Sequence, residues 1–209
     1  MPKATTKKKS VYEVHPSVAM VKDWIERLPE KTGRSLDEWV QLVKSAGPTS
    51  EKEQRRWLKE TYGLGTNSAW WIAERAAGKG LEDGDPETYL IAAEKYVEDM
   101  FAGSKTKLKP LYDALLKLAK SIGKEVKACP CKTIVPLYRK HVFAQIKPTT
   151  RTRIDFGFAL KNTQPTKRLL STGGFEKGDR ITHRIEITSL TDIDDEVKQW
   201  LRKAYEMDV

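Results

Sequence analysis

The stretch TIVPLYRKHVFAQIKPTTRTRIDFGFAL, residues 133–160, constrains the fold more than any other part of the chain. Its apolar residues alternate with other residues over two consecutive runs, which is the pattern of half-buried β-strands. The apolar set is Val142, Ala144, Ile146, Ile154, Phe156, Phe158 and Leu160, and the intervening set includes Phe143, Gln145, Lys147, Arg153 and Asp155. We predict three antiparallel strands here, joined by turns at residues 139–141 and 148–150. A further strand is predicted at 181–188, with Ile181, Ile185 and Ile187 towards the core.

The rest of the chain has helical periodicity. Four helices are predicted before residue 80, over about 17–28, 36–46, 51–62 and 67–77, with a turn at 29–34. Two capping boxes, Ser35 with Glu38 and Ser50 with Glu53, open the second and third. Later helices begin at Asp85–Pro86, near Leu108, and after Asp192 or Asp194.

The segment GKGLEDGD, residues 78–85, has the composition of a linker and suggests a domain boundary. We therefore expect a disordered basic tail at 1–15, a helical domain at 16–79 and an α-α-β-sheet-α domain at 85–209. The predicted fold class is α+β: an N-terminal four-helix domain followed by a two-layer domain of antiparallel sheet with helices on one face.

Charge is distributed unevenly along the chain. The net charge is +9, and residues 105–161 alone carry 14 basic and 3 acidic side chains, a net charge of +11. Such a segment attracts polyanions through its long-range field, although lysines also serve simply to solvate helices and strand edges.

No apolar run approaches the ~20 residues of a membrane span, and the N-terminal residues do not resemble a secretory signal. Two cysteines, Cys129 and Cys131, are too close in sequence to form an ordinary disulfide bridge easily. A reduced, cytoplasmic protein is expected, with no association with a membrane.

The sharpest local motif is the pattern Gly-Leu-Gly-Thr-Asn-Ser-Ala at residues 63–69, which matches helix-hairpin-helix spacing. In such hairpins the glycines let the backbone approach a DNA phosphate, and the amides at the start of the next helix face the negative charge. The candidate site residues are Gly63, Gly65, Thr66, Asn67 and Ser68, with Arg55, Arg56 and Lys59 on the preceding helix. Alternatively, Gly63 only caps a helix and Ala69 is small for close packing.

A second candidate surface is the polar face of the predicted sheet. Arginine forks suit phosphate and carboxylate groups, which makes this a candidate anion-recognition face. The candidate residues are Arg139, Lys140, Lys147, Arg151, Arg153 and Arg184. The alternative is ordinary cross-strand ion pairing of Arg153 or Arg184 with Asp155 or Glu186.

Metal and catalytic chemistry have little support in the sequence. Zinc sites usually need four ligands, and beside Cys129 and Cys131 only three histidines, at positions 15, 141 and 183, are available. His183 alternates with the apolar side of its strand and is expected in the core. We predict no metal, no cofactor and no catalytic residues.

Two stretches carry resemblances to known families. EKTGRSLDEWVQLVKSAG, followed by WLKETYGLGTNSAWWIAE, resembles a small bacterial helical domain of unknown function. The second half resembles an uncharacterised C-terminal domain whose members are often labelled "predicted transport protein"; the stretches concerned are YVEDMFAG, PLYDALLKLAKSIG, KTIVPLYRKHVFAQIKP and THRIEITSLTDIDDEVKQWLRKAYE. These resemblances imply a two-domain architecture and no set of catalytic residues.

The sequence thus favours a non-catalytic cytoplasmic binding module for an anionic partner, either nucleic acid or an acidic protein. The alternatives are a small-ligand or metal-ion carrier and a protein–protein adaptor.

Overall fold

The computed structural model describes residues 10–209. Seven α-helices and six β-strands are present in this part of the chain. The helices are α1 (Pro16–Thr32), α2 (Leu36–Ala46), α3 (Glu51–Tyr62), α4 (Thr66–Ala76), α5 (Pro86–Met100), α6 (Lys109–Ile122) and α7 (Asp195–Glu206). The strands are β1 (Lys127–Ala128), β2 (Val135–Tyr138), β3 (Val142–Pro148), β4 (Ile154–Phe158), β5 (Leu170–Ser171) and β6 (His183–Ile187). The predicted α+β class is confirmed. Across the described residues, none of the helices combines the length and the apolar character that a bilayer span requires.

The chain divides into two compact units, Val14–Ile91 and, for the second, Ala92–Val209 together with residues 10–13. The division falls within α5, whereas composition suggested limits at 79 and 85. Of the predicted tail at 1–15, residues 1–9 lie outside the described residues. Within the second unit, the Glu13 carboxylate accepts from the amide of Ala128 and pairs with Lys120, and the hydroxyl of Tyr12 hydrogen-bonds to that of Tyr112. Tyr12 and Glu13 therefore have defined contacts, although both lie within the tail that was predicted to be disordered.

The first unit encloses a small core between α1, α2, α3 and α4. Its buried residues are Leu28, Trp39, Val43, Leu58, Leu64, Ala69, Ile72 and Ala73. Both predicted capping serines accept from the third helical amide, and at Ser35 the glutamate also accepts from the cap backbone.

Helix α1 is longer than predicted, because the turn expected at 29–34 begins only after Thr32. Pro29 lies inside the helix and has no N–H to donate to the carbonyl of Ile25, so α1 lacks one ladder hydrogen bond there. The Oγ1 of Thr32 donates to the carbonyl of Leu28 and accepts from Nε1 of Trp39, which fixes this last turn.

The glycine-rich segment at 78–85 is folded within the first unit. It contains a 3-10 turn at Leu81–Asp83, and a Cβ added to Gly84 would lie 2.9 Å from Cδ1 of Ile25. Its glycines therefore allow close packing against α1, a use that composition alone does not distinguish from linker flexibility.

The second unit contains one antiparallel sheet in the strand order β1-β2-β3-β4-β6-β5. Ile154, Phe156, Phe158, Ile185 and Ile187 are all fully buried, as predicted. They share a core with Leu111 and Leu115 of α6 and with Leu201 of α7, and α7 packs against β3 and β4.

Phe143 was predicted on the polar face but is fully buried, and its ring meets Tyr205 edge-on at 5.6 Å. The register explains this: Leu137 pairs with Ala144 and Tyr138 with Val142, which leaves Phe143 as an extra residue on β3. Such a β-bulge lets two adjacent side chains, Phe143 and Ala144, both be buried.

Two further details of the sheet differ from the prediction. Ile181 lies before β6 and beside Gly157, where an added Cβ would approach its Cγ2 to 2.7 Å, and it is half-buried instead of facing the core. The two-residue strands β1 and β5 were not predicted, because segments this short have no visible period.

Candidate nucleic-acid interface

A row of four basic residues lies along α3. Lys52, Arg55, Arg56 and Lys59 are spaced i, i+3, i+4 and i+7, which places them on one helical face. They line a surface groove of about 520 Å³ together with Glu60, Thr66 and Trp70. The structure thus brings the predicted Arg55, Arg56 and Lys59 together with Thr66. We call this the α3 groove.

The four cations differ in their partners. Arg55 pairs with Glu51, which also binds Lys79, and the hydrogen bond from Lys79 and the charge of Arg55 hold the Glu51 pKa below its usual value. Arg56 and Lys59 are exposed and pair with no carboxylate within the described residues. Lys52 is likewise exposed and unpaired within the described residues, so three of the four charges remain free to meet an external anion.

The glycine turn between α3 and α4 has two differently constrained glycines. Gly63 has φ +66° and closes α3 with its amide, so it needs glycine's left-handed freedom. Gly65 has φ −64° and ψ 156°, and a Cβ built there meets nothing within 4 Å. The fold therefore does not require a glycine at position 65.

The capping alternative is confirmed for Gly63, and Ala69 is fully buried at the helix contact. These structural roles account for Gly63 and Ala69 without a ligand. The N-terminus of α4 has no side-chain cap, because the N-cap residue Gly65 has no side chain that could accept a hydrogen bond.

A second basic groove of about 440 Å³ lies beside the same turn, and we call it the turn groove. Lys31 and Arg34 are its charged residues, and the guanidinium of Arg34 lies 4.9 Å from the ring centre of Trp39. Its other lining residues are Thr32, Tyr62, Gly63, Leu64, Gly65 and Ser68. Gly65 lines the turn groove and the next residue, Thr66, lines the α3 groove, so consecutive residues of the chain border the two grooves.

The remaining predicted residues of the turn have lesser roles. Ser68 accepts a hydrogen bond from Nε1 of Trp24 at 3.0 Å, which ties α4 to α1. Asn67 is exposed and lines neither groove.

On the sheet, the cross-strand alternative is confirmed. Lys147, Asp155 and Glu186 are register partners across β3, β4 and β6. Nη1 of Arg184 lies 3.0 Å from Oδ1 of Asp155 and 2.6 Å from Oε1 of Glu186.

Arg153 joins the same network. Its Nη1 lies 2.9 Å from Glu186, and its Nε lies equally close to Asp155 without the alignment of a hydrogen bond. Burial opposes the charge on Arg184, but its hydrogen bond to Glu186 and the charge of Asp155 outweigh this effect, so the Arg184 pKa is raised. Arg153 and Arg184 are thus both ion-paired with carboxylates of the protein itself.

The other basic residues predicted on this side are dispersed. Lys147 is exposed in a separate depression with Lys105 and Lys132, and the ammonium of Lys105 donates to the carbonyl of Pro148 at 2.6 Å. Arg151 is exposed in the β3–β4 turn. The sheet face therefore does not present its predicted cations as one surface.

Arg139 and Lys140 belong to a structural clamp at the β2–β3 turn. Nη1 of Arg139 donates to the carbonyl of Tyr205 at 3.1 Å, and the guanidinium lies 4.4 Å from that ring centre. The buried carboxylate of Asp208 accepts from the amides of Lys140 and His141, at 3.0 and 2.8 Å. Lys140 itself is exposed, whereas Arg139 is half-buried.

Cys129 is a buried thiol. Burial, and next the charge of Glu13, raise its pKa to about 12. Among residues 10–209, no group of three or more His, Cys, Asp and Glu side chains is placed to hold a metal ion. His183 is buried in the core, as predicted, with Nδ1 2.8 Å from Oγ1 of Thr182.

Sequence reasoning missed three cations and one exposed aromatic residue of the grooves: Lys31, Arg34, Lys52 and Trp70. Lys52 had a usable signal, since it precedes Arg55 by three positions on the same helical face. Trp70 lies outside the apolar stripe of Ala69, Ile72 and Ala73, which is also visible in sequence. Lys31 and Arg34 had no local signal, because tertiary folding alone brings the end of α1 beside the α4 turn.

The comparisons agree with the two-unit architecture. Residues 21–77 match the family profile described as Domain of unknown function (DUF4287), and residues 97–208 match that described as Domain of unknown function (DUF5655). No curated protein and no solved structure matches the chain. Neither profile carries a transport label. Because the second profile covers more than half of its length, the chain belongs to the DUF5655 family.

Proposed function

We propose that the chain is a non-catalytic nucleic-acid-binding protein that contacts the phosphate backbone through its N-terminal helical unit. The observation that carries the proposal is the pair of basic grooves that the consecutive residues Gly65 and Thr66 line. Together they offer six cations, at positions 31, 34, 52, 55, 56 and 59, against one lining acid, Glu60.

A chain of phosphates matches this arrangement better than a small anion does. The two grooves have volumes of about 520 and 440 Å³, and consecutive residues of the chain line them. Lysine and arginine side chains that replace condensed counterions on successive phosphates gain free energy from the release of those ions. Exposed Arg56 and Lys59 can follow a flexible backbone, since no internal carboxylate of the described residues holds them.

Binding of this type does not depend on base sequence. Phosphate contacts set the position of a protein on a nucleic acid, whereas contacts to base edges set specificity. The groove cations lie on the side of α3 and at the end of α1, and within the described part of the chain no Asn or Gln side chain lines either groove. We expect weak, steeply salt-dependent binding to all sequences.

The test is fluorescence anisotropy with a labelled 20-base-pair DNA between ~50 and ~200 mM salt. Neutralising about five phosphates gives a log–log slope of about −4 to −5 on duplex DNA. At ~50 mM salt each lost contact costs about one decade of affinity by the same relation, so Arg56→Glu with Lys59→Glu should weaken binding roughly 100-fold or more.

The matched control is Lys147→Glu with Arg151→Glu, which makes the same change in net charge on exposed residues of the second unit. It should change affinity less than threefold. If the control loses affinity and the groove variant keeps it, the sheet side is the interface. If the wild-type protein at micromolar concentration binds no DNA at low salt, the nucleic-acid proposal is wrong and docking of an acidic protein takes its place.

A further inference from the structure

Trp70 of α4 is a large apolar side chain exposed to solvent beside the basic row of α3. It is 45% exposed and lines the α3 groove. Its neighbour Trp71 packs against Trp24 at 4.7 Å between ring centres. The adjacent tryptophans therefore have different roles: Trp71 joins α4 to α1, whereas Trp70 faces the groove.

The surroundings of Trp70 are cationic. The guanidinium of Arg55 lies 5.4 Å from the ring centre, a cation–π distance, and is itself held by Glu51. Nε of Arg55 is buried and has no hydrogen-bond partner among the described residues. No hydrogen bond from that atom therefore fixes the guanidinium beside the ring of Trp70. The exposed part of the indole remains available to a flat, apolar ligand surface.

Aromatic rings beside cations are the usual combination for single-stranded nucleic acid. Every unpaired base has a face that can stack on indole, while the neighbouring phosphates meet lysine and arginine. In a duplex the base faces are already stacked on each other. Charge alone would favour the duplex instead, because its counterion release per phosphate is larger.

We infer that the α3 groove binds single-stranded nucleic acid, with an unpaired base stacked on Trp70 and its flanking phosphates at Arg56 and Lys59. This inference rests on the proposed function and specifies its substrate class. It requires single strands to bind at least as tightly as duplexes of the same sequence, despite their lower charge density.

The experiment compares wild type, Trp70→Ala and Trp70→Phe on three labelled probes: a 20-nucleotide oligo-dT, its 20-base-pair duplex, and a 20-mer of abasic residues. Trp70→Ala should weaken oligo-dT binding roughly 10- to 100-fold, the range for losing one base–aromatic stack. Duplex and abasic binding should change less than twofold. The salt slope for oligo-dT should stay the same, because the lost contact is not ionic.

Trp70→Phe is the matched control, since it keeps an aromatic face and should retain most of the oligo-dT affinity. Both variants change an exposed residue, and equal melting temperatures would show that folding is intact.

If Trp70→Ala weakens all three probes equally, or leaves oligo-dT unaffected, the stacking inference is wrong while backbone binding stands. Tighter binding of the duplex than of oligo-dT by wild type overturns the inference in the same way. If wild type binds none of the probes, the proposed function fails and the inference fails with it.

Discussion

Two regions of this protein carry arginine in similar density and use it in opposite ways. On α3 the basic residues at positions 52, 56 and 59 pair with no carboxylate of the described residues, and only Arg55 is held by an acid. On the sheet, Arg153 and Arg184 converge on Asp155 and Glu186 within 3.0 Å.

The difference shows that a count of cations does not measure the charge that a surface offers. Segment 105–161 has a net charge of +11. Within it, however, Arg153 is paired with Asp155 and Glu186, and Arg139 and Lys140 belong to the clamp at the β2–β3 turn. On a helix, i, i+3 and i+4 spacing gathers like charges on one face. Across strands, partners from elsewhere in the sequence supply the counter-charge.

The largest expected effect is on the free energy of unfolding, and it tests the register of β4. The comparison between α3 and the sheet depends on this register. Phe156 is fully buried opposite the polar row. Phe156→Ala should lower the free energy of unfolding by about 3–5 kcal/mol, through lost burial and the cavity left behind. Urea denaturation of both proteins measures it. A near-neutral result would mean that the polar and apolar faces are exchanged, and the ion-pair network with them.

A smaller effect on the free energy of unfolding is expected at Asp208, whose carboxylate holds the β2–β3 turn that contains Arg139 and Lys140. Burial raises the Asp208 pKa, but the hydrogen bonds from His141 and the charge of Arg180 outweigh this, so the pKa is lowered in the folded state. The stabilisation is therefore complete above the unfolded pKa, near ~3.9, and is lost as the pH falls through the lower folded value.

Asp208→Asn removes the charge and should cost about 2 kcal/mol at pH 7, as for a hydrogen-bonded charged group. The difference from wild type should narrow in urea melts as the pH approaches 2. A constant difference from pH 7 to pH 2 would show that the Asp208 charge does not contribute.

The smallest expected effects compare the two regions directly. The variants are Arg184→Ala on the sheet and Arg56→Ala on α3. Arg184→Ala leaves Asp155 and Glu186 opposite each other and should cost about 1 kcal/mol of stability, with unchanged DNA affinity. Arg56→Ala should change stability by less than ~0.5 kcal/mol. Its DNA affinity should fall about tenfold at ~50 mM salt. If instead Arg184→Ala weakened binding, the two regions would not differ as described.

Much of the fold follows from short-range pattern. Ser35 caps α2 as its sequence predicts, and the alternation through Phe156 and Phe158 identifies the buried face of β4. Within the candidate site, the sequence predicted Arg55, Arg56 and Lys59, because helical spacing alone places them side by side.

Tertiary structure decided the rest. The sequence alone determined the helices and the longer strands, the buried face of β4 and three members of the basic row on α3, because caps and periodicities depend on neighbours within a few residues. It did not determine the bulge at Phe143, the pairing of Arg184 with Asp155, or the position of Arg34 beside the α4 turn. These depend on which distant segments become adjacent, and so only the folded chain separates a neutralised arginine from one that faces solvent.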